Sequence, residues 1–191
     1  WQTDTAVARN SWCYTTTNDY KSANEIICQL VDIVSKNGTL LLNIGPKGDG
    51  SIPKEDKEIL QTIGRWLKAN GEAIYGSKVW RQFGEGPTNV TEGQFSDGSE
   101  TKFTEEDIRF TVKGSYLYAI VLQWPLDGQV EIKSLGDKDA SKLPLFHGII
   151  KDVAVLGFDS NFKWTRTSEA LDINAEGIKS DYPVVLKIKI D

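Results

Sequence analysis

Hydrophobic positions change their period part-way along the chain. Between Ile26 and Leu67 they recur mostly every three or four residues, the spacing of one helical face, whereas beyond Ile108 they fall in short runs or alternate, as strands do. Ile26, Ile27, Leu30, Val31 and Val34 form the first helical stripe. It opens at Ser22-Ala-Asn-Glu25, a capping-box pattern in which hydroxyl and carboxylate satisfy free backbone donors reciprocally, and closes at Asn37-Gly38, which supplies a left-handed residue. Ile59, Leu60, Ile63 and Leu67 form the second, started by Ser51 and Pro53 and stopped at Asn70-Gly71. Between them Leu40, Leu41, Leu42 and Ile44 form a nearly unbroken apolar run, suited to a parallel strand covered on both faces. Trp1 to Val7 alternates weakly and predicts another strand. Two such strand-helix units cannot cover both faces of their own strands, so further units are expected to complete a barrel or sheet.

From Gly71 to Gly98 the composition shifts to Gly, Pro, Asn, Ser and Thr, which marks a boundary. Beyond it the pattern predicts strands over 108–112, 116–124, 129–133, 149–156, 162–167, 170–173 and 184–190, separated by turns such as Lys113-Gly114 and Asp127-Gly128. That spacing predicts an antiparallel β-sandwich. Trp124 or Trp164, if exposed, would offer a sandwich of this kind a platform for carbohydrate, although tryptophan in a small sandwich is usually core.

Composition then narrows the chemistry. A net charge of -5 without a Lys/Arg block excludes a nucleic-acid partner, whose phosphates demand a basic face. No apolar run is long enough to span a membrane. With two cysteines, Cys13 and Cys28, lacking CxxC spacing, and a single histidine, His147, neither a metal site, a disulfide framework nor a Ser/His/Asp triad is indicated. The Lys47-Gly-Asp-Gly50 turn lacks both the GKS/T ending and the GxGxxG pattern, so no phosphate-bearing cofactor is expected. The opening at Trp1 and the absence of methionine read as the C-terminal part of something longer. Trp12 and Tyr14, in a polar loop, are either a lid on the core or a platform for a ligand; aromatic faces stack on the apolar faces of sugars.

Several motifs in register carry a resemblance. Trp1-Gln-Thr-Asp-Thr5, Ser11-Trp-Cys-Tyr14, Gln29-Leu-Val-Asp-Ile-Val-Ser-Lys-Asn-Gly38, Leu40-Leu-Leu-Asn-Ile-Gly-Pro46 and Trp66-Leu-Lys-Ala-Asn-Gly-Glu-Ala-Ile-Tyr75 together resemble the C-terminal portion of family 29 glycoside hydrolases, the α-L-fucosidases. Tyr118-Ala-Ile-Val-Leu-Gln-Trp-Pro125 resembles the family's C-terminal β domain more loosely.

The resemblance implies the last βα units of a catalytic (β/α)8-like barrel over 1–80, a linker over 81–98 and a β-sandwich domain over 99–191. It implies retaining hydrolysis of terminal α-L-fucose from glycans, which requires two carboxyl groups about 5 Å apart. The family's nucleophilic Asp lies in a motif this chain does not carry. Many members have Glu where Gln2 stands, and an amide cannot donate and recover a proton; either Gln2 replaces a working acid/base or, the reading adopted, that group also lies upstream. No catalytic residue is therefore assigned within the chain, which alone is expected to be inactive. Substrate contacts are assigned to Trp12, against the C5 methyl face of fucose, and to Gln2 and Tyr14. Cys13 departs from the family's glycine and puts the local loop conformation in question. The implied partners are a fucosylated glycan and the rest of the barrel; the implied setting is secreted, periplasmic or lysosomal. The rival reading is a non-catalytic carbohydrate-binding module.

Overall fold

The computed structural model describes residues 1–90, 100–137, 146–159 and 161–191. In chain order its elements are β1 (Gln2–Ala6), α1 (Ala23–Ser35), β2 (Thr39–Asn43), α2 (Lys54–Asn70), β3 (Lys78–Glu85), β4 (Ile108–Lys113), β5 (Tyr116–Val121), β6 (Gln129–Ile132), β7 (Ile150–Val155), β8 (Lys163–Arg166), β9 (Leu171–Asn174) and β10 (Val184–Ile190). Sheet predominates, and most of it is antiparallel.

The helix signals act where the sequence places them. Ser22 Oγ accepts from the Glu25 amide at 3.1 Å. Asn37, at φ 63°, is the left-handed residue, with the Asn37 and Gly38 amides donating to Val34 and Ile33 in the two bonds of a Schellman stop. One half of the capping box differs from expectation: both carboxylate oxygens of Glu25 accept from Arg9. In α2, Trp66 is buried alongside Ile63 and donates through Nε1 to the Pro183 carbonyl at 2.8 Å.

β1 and β2 pair in parallel, with Gln2 opposite Thr39 and Ala6 opposite Asn43. Leu40 and Leu42 pack into the cluster formed with the helices, while Leu41 on the opposite face is 55% exposed. One face of this pair is covered and the other is open.

Five strands, in the order β3-β4-β5-β10-β7, form an antiparallel sheet, and β6-β9-β8 form a second. Leu117, Ala119 and Val121 share a core with Val130 and Ile132 of β6 and Leu171 and Ile173 of β9. The intervening Tyr118 and Ile120 face the other way, packing with Ile26, Ile27 and Val31 of α1 and with Ile63 and Trp66 of α2. β5 is thus buried on both faces, which explains its continuous apolar run. Side chains stitch the layers together. Arg109 Nε donates to Asp32 Oδ1 at 2.6 Å, Thr111 Oγ1 to the Ala73 carbonyl at 2.7 Å and Lys187 Nζ to Glu72 Oε2 at 2.9 Å.

Residues 81–85, expected in a linker, belong to β3 and the five-stranded sheet. The sequence hides them because β3 is an edge strand with a broken register between Val79 and Gly84, in which the apolar Val79 and Phe83 take exposed positions and the polar Gln82 a half-buried one, so hydrophobicity does not follow the strand's alternation. Gly84 makes the pairing possible, since a Cβ there would stand 2.4 Å from the Ile108 carbonyl oxygen. Positions 91–98 of the expected linker lie outside the described residues.

Asp107 fastens the entry to β4. Its Oδ1 accepts from the Thr88 amide at 3.0 Å, and its Oδ2 accepts from Thr88 Oγ1 at 2.6 Å and from the Thr104 amide and hydroxyl at 2.7 and 2.9 Å. Burial pushes its pKa up, but these hydrogen bonds outweigh burial and hold it below the ordinary 3.8. A depressed carboxylate stabilises the fold above its unfolded pKa and loses that contribution as pH falls through the folded value. Asp107→Asn should therefore cost about 1–3 kcal/mol at neutral pH. The gap between variant and parent should narrow in acid below about pH 3.8; urea titrations at both pH values check this.

Candidate functional site

Beyond the ends of β1 and β2 the chain builds a folded loop over residues 8–20. Its base closes where Ala8 bridges Tyr20 and the Arg9 amide donates to the Asp19 carbonyl at 2.7 Å. Asn10 spans the interior, donating to the Thr17 carbonyl and accepting from the Asp19 amide, both at 2.9 Å. Ser11 Oγ donates to the Cys13 carbonyl at 2.8 Å, and Thr15 Oγ1 donates to Asn18 Oδ1 at 2.6 Å. Short polar side chains that bond their own neighbourhood favour such turns over a helix or strand.

Two residues at the end of β2 hold this loop from below. Asn43 Nδ2 donates to the Trp12 carbonyl at 2.8 Å, the backbone-tying role its position suggests. Gly45 lets the loop lie close, because a Cβ there would sit 2.8 Å from the Tyr14 nitrogen. The Gly45 amide in turn donates to Oδ1 of fully buried Asp56 at 3.2 Å. The side chains above differ in access. Trp12 is 54% exposed, and Tyr14 is half-buried with Lys47 Nζ 5.4 Å from its ring centre. Asn37 is the one non-glycine residue at positive φ among those described, so Cys13 needs no glycine conformation; its thiol is exposed.

Gln2 stands elsewhere. It shares the open face of β1 with Asp4, to whose Oδ1 its amide donates at 2.8 Å. Ala6, level with Asn43, lies four residues further along, roughly 13 Å at the rise of a strand. Trp12 and Tyr14 are brought together at one end of the parallel pair, and Gln2 is at the other. Trp1, beside Gln2, is anchored there by Nε1 donation to the Lys36 carbonyl at 3.0 Å.

Chemically, the upper end offers an exposed indole, a phenol and a lysine: enough to seat a small uncharged ligand with an apolar side. On the open face of the two strands Asp4 is the one acidic residue. Burial pushes the Cys28 thiol up to about 12, so it is no nucleophile. His147 is exposed. Among the described residues no group of three or more His, Cys, Asp or Glu could hold a metal ion, and no helix is long and apolar enough to cross a membrane. The Lys47–Gly50 turn is closed by its own Asp49, whose Oδ1 accepts from both the amide and the hydroxyl of Ser51 at 2.9 and 2.7 Å. Sequence reasoning missed Arg9 and Asp56. Arg9 lies in no periodic stripe, Asp56 is a carboxylate at one end of the buried face of α2 where apolar periodicity gives no signal, and each acts on a residue distant in sequence.

A family model for alpha-L-fucosidase matches residues 1–72, and one for the alpha-L-fucosidase C-terminal domain matches residues 101–189. Tissue alpha-L-fucosidase of Mus musculus is 35% identical over 169 residues, covering 87% of this chain and 31% of the relative. An alpha-L-fucosidase of Branchiostoma floridae is 31% identical over 171 residues, covering 88% of this chain and 32% of the relative. Among solved structures, Thermotoga maritima alpha-fucosidase in complex with fucose superposes with a TM-score of 0.71 at 29% identity, over 98% of this chain and 39% of that one. The chain spans about a third of the length of the relatives it matches. With both family models matched in order along it, the chain belongs to the α-L-fucosidase family.

Proposed function

We propose that this chain forms one wall of the fucose site in a retaining α-L-fucosidase that removes terminal α-L-fucose from glycans. The observation that carries the reading is the exposed Trp12, fixed above the carboxyl ends of a parallel strand pair by Asn43 and Gly45. Ligands in parallel α/β folds bind beyond those ends. In this reading β1, α1, β2 and α2 are units of a (β/α)8-like barrel whose interior is the open face of β1 and β2. The two antiparallel sheets are a β-sandwich, and the boundary between the units falls at Gly76-Ser77, just before β3. Trp12 stacks on the methyl face of fucose and Tyr14 flanks it. Gln2, down the strand, serves the site by orienting Asp4 and touches substrate only where the ligand reaches below the rim.

Retaining hydrolysis needs two carboxyl groups about 5 Å apart. The open face carries one, Asp4, whose Oδ1 is engaged by Gln2, so the pair is incomplete here, and in this reading both nucleophile and acid/base are assigned to the remainder of the barrel. Fucosylated glycans lie outside the cytoplasm, and a secreted or lysosomal setting follows from that substrate. The rival reading, a carbohydrate-binding sandwich, needs an open aromatic rim. Trp124 is instead buried with Nε1 donating to the Ile178 carbonyl at 3.1 Å, Trp164 packs against the core, and the outer face of β5 lies under the helices.

Two assays test the proposal. The 21.3 kDa chain alone should release no 4-nitrophenol from 4-nitrophenyl α-L-fucoside. An enzyme containing it should release the α anomer of fucose first, as seen by proton NMR. Turnover by the chain alone would overturn the placement of the nucleophile, and first release of the β anomer would overturn retention.

A further inference from the structure

Glu25 is diverted from its expected cap. It sits in the first turn of α1, 5% exposed, with Oε1 accepting from Arg9 Nη1 at 2.7 Å and Oε2 accepting from Nη2. This is the bidentate fork that planar guanidinium and carboxylate groups favour, in a setting where water competes little. Arg9 is the first residue of the folded loop beyond the Ala8–Tyr20 bridge, three positions before Trp12. Its backbone continues the closure through Asp19, and its Nε lies 3.9 Å from the Asp19 carboxylate. The other end of the fork is equally fixed. Glu25 belongs to the helix whose Asp32 is held by Arg109 of the five-stranded sheet. A cleft of about 490 Å³ between the first half of α1 and the segments that flank β4, β5 and β10 is also lined by Glu25, but both carboxylate oxygens are already taken by Arg9.

We propose that the Arg9–Glu25 pair is a positioning device for the proposed fucosidase site, setting the height and tilt of Trp12 by tying the root of its loop to α1. The inference rests on the reading of Trp12 as a substrate contact. Neither side chain of the pair touches substrate. Both act through the loop, so their loss should appear in substrate binding more than in turnover, and only while Trp12 is present.

The test is a double-mutant cycle in an active enzyme that contains this chain, assayed on 4-nitrophenyl α-L-fucoside. Arg9→Ala should raise KM about tenfold, the equivalent of roughly 1.4 kcal/mol, with kcat changed less than about threefold. Arg9→Lys, which keeps the charge but not the fork, should fall between parent and alanine variant. In a Trp12→Ala background, Arg9→Ala should add less than about twofold, because the residue it positions is gone. If Arg9→Ala does not fold, Arg9→Lys carries the same comparison, with thermal midpoints to show that each variant is native. Equal effects of the Arg9 change with and without Trp12, or no effect on KM while Trp12→Ala keeps its own, would overturn the positioning role alone. An unchanged KM in Trp12→Ala by itself would overturn the reading of Trp12, and the positioning role with it.

Discussion

Arg109→Ala is expected to destabilise the protein by about 3–5 kcal/mol, the range for removing one partner of a buried ion pair. Arg109 is 2% exposed and donates to Asp32 at 2.6 Å, while Nη1 reaches the Glu85 and Ile108 carbonyls at 3.3 and 3.2 Å. Its guanidinium also stands 5.4 Å from the ring centres of both Phe83 and Phe103. Truncation would remove a cation stacked on two aromatics and leave the buried Asp32 with Lys36 Nζ, at 2.8 Å, as its remaining cation. For a chain of this size each kcal/mol lowers the thermal midpoint by roughly 2–4 °C, so a fall near 10 °C should be seen by calorimetry. A loss below about 1 kcal/mol in urea titration would show that the pair contributes little beyond its own desolvation. The double change Arg109→Met with Asp32→Leu should recover much of the loss, since replacing both members of a buried pair costs far less than orphaning one.

The second large effect concerns binding. Trp12→Ala, in an enzyme containing this chain, should raise KM for the aryl fucoside by about thirtyfold, the equivalent of the roughly 2 kcal/mol of an aromatic hot spot. Its thermal midpoint should hardly move, because the side chain is 54% exposed and the loop is held through the Trp12 carbonyl, which alanine retains. Trp12→Phe should restore most of the affinity through its flat apolar face. Unchanged kinetics in Trp12→Ala would remove this residue from the site.

Much of the local structure was legible because it is written in nearest neighbours. Ser22, Asn37 and the stripes of α1 and α2 act within a turn or two of themselves, so period and capping chemistry reveal them. The seven strands beyond Ile108 were legible for the same reason. β3 was not, since an edge strand with a broken ladder carries little of the hydrophobic alternation on which such reading depends. Nor was the burial of α1 beyond its apolar stripe. Its Cys28 and Asp32 sit off the main stripe, yet Asp32 meets Arg109 and the Cys28 thiol faces the Leu122 carbonyl at 3.7 Å, partners 77 and 94 residues away. The site divides likewise. Trp12 and Tyr14 stand out as aromatics in a polar loop, whereas the Glu25 carboxylate had a plausible local use that masked its distant one.

The burial of β5 on both faces bears on modularity. By period the chain looks like two pieces joined near residue 80. By packing it has no such seam, because Tyr118, Ile120, Leu122 and Val185 complete the cover of α1 and α2. A cut there would strip the helices of their backing and give the sheet a bare, sticky face. The sheets are therefore less an appended accessory than the outer buttress of the helices, and the two pieces should be inherited, exchanged or engineered as one.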